Sequence, residues 1–172
     1  MVNSCVEIVC VFVLFAKEID NNSSEAHNNL GKAYQELKQF EKAVQQFEKA
    51  VKLNPAYSQA FHNLGVIYEN LGLSKQALEN YEKAIKHDKY FAEAYRNLSK
   101  LRTFSPEDKL ITEMQDVITN TNLNLSDKSR LYFALAKVNE DLDIIVVPTV
   151  GISPTGVRLG YGHGFYDKFL EG

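Results

Sequence analysis

The sequence predicts a mainly α fold, an α-solenoid of antiparallel helix pairs, closed by a short α/β tail of strand, glycine-rich loop and helix. Three observations carry that expectation. The block Ala26-His27-Asn28-Asn29-Leu30-Gly31 returns as Ala60-Phe61-His62-Asn63-Leu64-Gly65 and again as Ala94-Tyr95-Arg96-Asn97-Leu98-Ser99, each time 34 residues further on. Self-similarity at such a fixed period marks a repeat architecture. Within each unit the apolar residues recur at helical spacing. Near the C-terminal end an Ile/Val-rich run and alternating glycines replace that pattern altogether.

Residues 1–23 form an apolar N-terminal segment. Its run over 5–16 is about a dozen residues long, against the ~20 a membrane-spanning helix requires. Glu7 interrupts it, and no Lys or Arg precedes it, so neither a membrane span nor a secretory leader is expected. A buried strand or a short packing helix is. Cys5 and Cys10 have neither metal-ligand nor redox-motif spacing. They read as free thiols in a reducing compartment, hence a cytoplasmic location. The net charge of −3 provides no basic field for nucleic acid.

The repeats follow over 24–57 and 58–91, with the first helix of a third unit up to 102. Leu30, Gly31 and Tyr34 share one face of a first helix, and Ala43, Phe47 and Ala50 form the matching stripe on a second. Gly31 and Ala43 are small, which lets the two helices approach closely. Tyr34 recurs as Tyr68, Ala43 as Ala77, Phe47 as Tyr81 and Ala50 as Ala84, and Pro55 ends the second helix. This pattern resembles the tetratricopeptide repeat. Departures are local: Lys89 replaces the terminating proline, and Ser99 and Arg102 replace Gly and Tyr in the third unit.

Helices are expected to continue to 142, completing a helical domain over 24–142. Ser105-Pro106-Glu107-Asp108 reads as a helix start, followed by an apolar stripe of Leu110, Ile111, Met114, Val117 and Ile118. Ser126 is expected to cap a second helix carrying Leu131, Leu135 and Val138. This stretch is similar to the segment after the repeats in bacterial tetratricopeptide proteins that continue into a sulfotransferase domain. No phosphosulfate loop follows it, so no activity is transferred.

The tetratricopeptide resemblance implies a protein partner, held as an extended peptide on the concave face of the first helices. By register that face includes Asn28, Asn29, Lys32, Gln35, His62, Asn63, Val66, Glu69, Arg96, Asn97 and Lys100. Of these, Asn29, Lys32, His62, Asn63, Arg96 and Asn97 are the candidate peptide-binding residues. The row Asn29, Asn63, Asn97 resembles the asparagine ladder in the repeats of O-linked N-acetylglucosamine transferases. An amide offers both a donor and an acceptor to a peptide backbone; the alternative is that these amides bond neighbouring helix termini or water. Glu93 stands where the carboxylate clamp of chaperone-binding repeats has a base. His27 occupies the slot of Phe61 and Tyr95 and reads as a packing residue.

Residues 143–172 form the tail. Ile144 to Val147, ending at Pro148, reads as a buried parallel strand. Ser153-Pro154-Thr155-Gly156 is a turn, and Phe165, Phe169 and Leu170 give a helix from Gly164 its apolar face. Glycines between strand and helix let the backbone present successive N–H groups to an anion. Arg158 suits a phosphate and Asp167 a Mg²⁺ ion. The run from Asp143 to Asp167 resembles the C-terminal segment of 5-formyltetrahydrofolate cyclo-ligase, which uses Mg-ATP to form 5,10-methenyltetrahydrofolate. That resemblance implies nucleotide contacts from Arg158, Leu159, Gly160, Tyr161, Gly162, His163, Gly164, Phe165 and Tyr166, and Mg²⁺ on Asp167. That family's N-terminal Lys and Arg that grip ATP have no counterpart in 1–142, and no catalytic residue is assigned. The chain thus reads as a gene fusion: an interaction module with a truncated nucleotide-binding tail or, alternatively, an incomplete cyclo-ligase of folate metabolism. The apolar runs over 5–16 and 144–147 either pair with each other across the intervening repeats or remain exposed edges, and self-association is expected.

Overall fold

The computed structural model describes residues 22–119 and 123–141. They form α1 (Ser24–Glu36), α2 (Phe40–Leu53), α3 (Ser58–Asn70), α4 (Ser74–His87), α5 (Ala92–Leu101), α6 (Lys109–Thr119) and α7 (Leu125–Asp141), with no strand among the described residues. The N-terminal apolar run and the strand, glycine-rich loop and helix expected of the tail lie outside the described residues.

The two repeats are built alike down to their turns. Ser23 caps α1, its Oγ accepting from the Ala26 amide at 3.2 Å. Between first and second helices the chain closes by paired backbone bonds, Lys38 N to Gln35 O and Gln39 N to Tyr34 O in one repeat, Gly72 N to Glu69 O and Leu73 N to Tyr68 O in the next. This helix ending needs one residue in the left-handed region. Gly72 supplies it at φ 74°; Lys38 adopts φ 56° in the same place, at a steric cost of roughly 1–2 kcal/mol. After each second helix an Asx turn reverses the chain: Asn54 Oδ1 accepts from Ala56 N, and Asp88 Oδ1 from Tyr90 N. The second helix therefore stops at the same register whether Pro55 or Lys89 follows, which is why losing the proline leaves the repeat intact.

Packing within each pair turns on one contact. A Cβ added to Gly31 would stand 2.6 Å from the Phe47 ring, and one added to Gly65 2.5 Å from the Tyr81 ring. Phe47, Tyr81 and their alanine neighbours Ala43, Ala50, Ala77 and Ala84 are fully buried.

The third pair is not contiguous in sequence. Extending the 34-residue register from Phe47 and Tyr81 lands on Gln115, an exposed residue of α6, where a buried ring is required. Instead α5 packs along α7, and α6 is an excursion held mainly against α7. Helix α7 buries Leu131, Ala134 and Val138, none of them aromatic. It lies against the helix in which Ser99 replaces glycine; the Ser99 hydroxyl turns back to Arg96 O at 2.9 Å. Met114 and Val117 of α6 complete this core.

Two expected helix starts are corrected. Ser105-Pro106-Glu107 forms a turn, and α6 begins only at Lys109. Asp108 is the residue that sets the start: its Oδ1 accepts from Leu110 N at 3.1 Å while its Oδ2 pairs with Arg102. For α7 the cap is Asn124, whose Oδ1 accepts from Asp127 N at 2.8 Å; Ser126 instead accepts from Arg130.

Candidate functional site

Side-chain hydrogen bonds link the first helices α1, α3 and α5. Asn63 Nδ2 donates to Asn28 Oδ1 at 2.8 Å. One repeat further on, Asn97 Nδ2 bonds His62 Nε2 at 3.0 Å. In both cases the asparagine of one first helix reaches the residue just before the asparagine of the preceding one. The relay then stops: the third residue of that series is Arg96, which has no acceptor to offer, and its guanidinium lies over the Phe133 ring, 6.0 Å from the centroid. At the opposite end Asn29 is exposed.

His62 is the imidazole of this relay. Lys100 Nζ donates to Asn97 Oδ1 at 3.4 Å, which turns the Asn97 amide nitrogen toward the imidazole. Nε2 faces that amide, and the second ring nitrogen is Nδ1. That atom is buried and lacks a hydrogen-bond partner among the described residues. Tyr81 and Phe91 face the ring at 5.6 and 4.9 Å. Burial holds the imidazole below its ordinary 6.5, outweighing the opposing pull of Glu93, Asn63 and Glu69. Tyr81 Oη donates to Glu69 Oε2 at 2.7 Å; burial first, and Glu69 second, push that phenol upward.

The six candidate peptide-binding residues fall into one strip with unequal access. Asn29 and Lys32 on α1 are exposed, Arg96 and Asn97 on α5 are half-buried, and His62 and Asn63 on α3 are buried. Asn63 is engaged at both ends of its amide, its Oδ1 accepting from Gln59 Nε2 at 3.5 Å. His27 packs as expected, buried with Nδ1 2.9 Å from Gln46 Oε1. The candidate nucleotide residues Arg158 to Tyr166 and the candidate Mg²⁺ ligand Asp167 lie outside the described residues, and the described residues hold no group of three His, Cys, Asp or Glu arranged for a metal ion. No described helix is long and apolar enough to cross a membrane.

Sequence reasoning missed the relay itself. Its signal was present: Asn28 to Asn63 and His62 to Asn97 are each separated by 35 residues, one more than the repeat period. It also missed the row Glu25, Gln59 and Glu93, which sits one helical turn before the asparagines in every first helix.

Fold and register together define a helical-repeat solenoid with a polar strip along its first helices. The chain carries two tetratricopeptide repeats, matched at 24–57 and 58–91. The 5-formyltetrahydrofolate cyclo-ligase family matches residues 88–172. That match begins well before residue 143 and takes in α5, α6 and α7, the helices that extend the repeat stack. No curated protein matches the chain. Similar solved structures include two of MamA, at 23% and 22% identity and TM-score 0.50, covering 80% and 85% of this chain and 67% and 70% of theirs. A third is an Arabidopsis OM64 TPR domain, at 24% identity and TM-score 0.49, covering 67% of this chain and 97% of that one. The MamA likeness shows a shared fold.

His62 gives the strip a pH dependence. Its folded-state value lies below 6.5, so between that value and 6.5 the unfolded chain binds more protons, and stability falls as pH is lowered through this window. Urea titrations at pH 7.5 and pH 5 will show a loss in the parent that is smaller in His62→Asn.

Proposed function

We propose that the chain is a protein-interaction module that holds an extended peptide across α1, α3 and α5. The observation that carries this reading is the register of the three first helices, which sets an amide-bearing residue at the same level on each. Amides pair with peptide N–H and C=O groups irrespective of sequence, which suits a ligand recognised through its backbone. Asn29 and Lys32 at one end and Arg96 and Asn97 at the other are the accessible contacts, while His62 and Asn63 set the spacing between them. A cytoplasmic location belongs to the same proposal. Selection from a displayed library of random decapeptides, followed by fluorescence anisotropy on the enriched sequences, tests it. Asn29→Ala with Asn97→Ala is expected to weaken capture about tenfold or more with helicity preserved. Undiminished affinity, or no enrichment by the parent, would refute it.

The cyclo-ligase match supports a second reading, an ATP-dependent ligase acting on 5-formyltetrahydrofolate. In it Arg158 to Tyr166 line the phosphates of ATP and Asp167 holds Mg²⁺, whose chemistry is charge neutralisation during phosphoryl transfer. No catalytic step is assigned to these residues. Calorimetric titration of the full chain with Mg-ATP is the test: heat in the parent and none in Asp167→Ala supports the reading, and no heat in either removes it.

A further inference from the structure

The strip along the first helices is sorted by charge. One turn N-terminal to the asparagines runs the row Glu25, Gln59, Glu93, and about one turn C-terminal runs Lys32, Val66, Lys100. Two bonds tie these rows to the central one: Gln59 Nε2 to Asn63 Oδ1, and Lys100 Nζ to Asn97 Oδ1. Glu25, Lys32 and Lys100 are exposed, and Glu93 is half-buried. None of the four takes part in an ion pair among the described residues. Two further acids lie on the first helices: Glu69 is taken up by Tyr81, and Glu36 is exposed one turn beyond Lys32. The strip therefore has an acidic edge, a floor of amides in which Arg96 stands over the Phe133 ring, and a basic edge, with both edges neutral at the middle helix.

We propose that the occupant of this strip is an extended peptide segment with basic side chains on one side and acidic side chains on the other. The inference rests on the peptide-binding reading above and names the class of peptide. Successive side chains of an extended strand point to opposite sides. A backbone running over the amides thus sends odd residues to one edge and even residues to the other. Basic groups face Glu25 and Glu93, and acidic groups face Lys32 and Lys100. Neighbouring packed helices are ~8–10 Å apart, so the charged ends of the strip are separated by about six residues of extended chain at ~3.3 Å each. Uncharged polar and apolar side chains fit between them, against Gln59 and Val66.

The test uses two fluorescein-labelled peptides of identical composition. In Lys-Glu-Ser-Val-Ser-Val-Lys-Glu the two signs fall on opposite sides; in Lys-Ser-Glu-Val-Lys-Ser-Glu-Val both fall on the same side. Exposed ion pairs each contribute a modest factor, so four together give about a tenfold preference for the first peptide at low salt, shrinking at high salt. Glu25→Lys with Glu93→Lys, at exposed and half-buried sites, is expected to keep its helicity and lose that preference. Equal binding of the two peptides overturns the charge sorting, as does failure of both while library-selected peptides still bind. If selected peptides also fail, it is the peptide-binding reading itself that falls.

Discussion

The stack depends on how closely a first helix can approach its second. In both repeats the distance is set by an aromatic ring lying on a glycine, Phe47 on Gly31 and Tyr81 on Gly65, with no room for even one added carbon. Those rings are fully buried, and the alanines one turn on either side let the helices stay close along the whole contact. Glycine in a helix interior costs roughly 1 kcal/mol relative to alanine; the close approach compensates by burying a complete aromatic face. Where the constraint changes, the architecture changes with it. Ser99 occupies the glycine position of the third unit, no aromatic residue follows at the expected spacing, and the partner helix is recruited from beyond α6.

Close packing of pairs brings the first helices together, and polar side chains bond across them. Asn63 with Asn28, and Asn97 with His62, make a relay that repeats with the period of the fold. Each buried amide in it has a partner, as burial demands, and the relay links the three helices at matching levels. The acidic, amide and basic rows owe their alignment to that levelling. The buried imidazole is the sensitive member. Its Nδ1, without a hydrogen-bond partner among the described residues, and its depressed titration follow from being enclosed by Tyr81 and Phe91.

Much of this was legible in the sequence because it is periodic. Gly31, Phe47 and their counterparts at 34-residue spacing identify the helix pairs and their facing stripes before any coordinates. The apolar stripes of α6 and α7 were equally readable, since Met114, Val117, Leu131 and Val138 are all buried. What escaped was non-periodic or one step out of phase. The third pair skips α6, and a register argument stops at Gln115. The caps fall on Asp108 and Asn124 because a carboxylate and an amide reach the helix amides ahead of the serines nearby. The relay pairs residues one period plus one apart, so comparing equivalent positions passes over it.

The central claim, that glycine under an aromatic ring sets the geometry of the stack, is tested by a double-mutant cycle at Gly65 and Tyr81, read by urea denaturation followed by circular dichroism. Gly65→Ala is expected to destabilise the parent by about 1–3 kcal/mol through overpacking, despite alanine's better helix propensity. In a Tyr81→Leu background, where the ring is gone, the same substitution is expected to be neutral or stabilising. An equal cost of Gly65→Ala in both backgrounds, or a gain in the parent, would contradict the account.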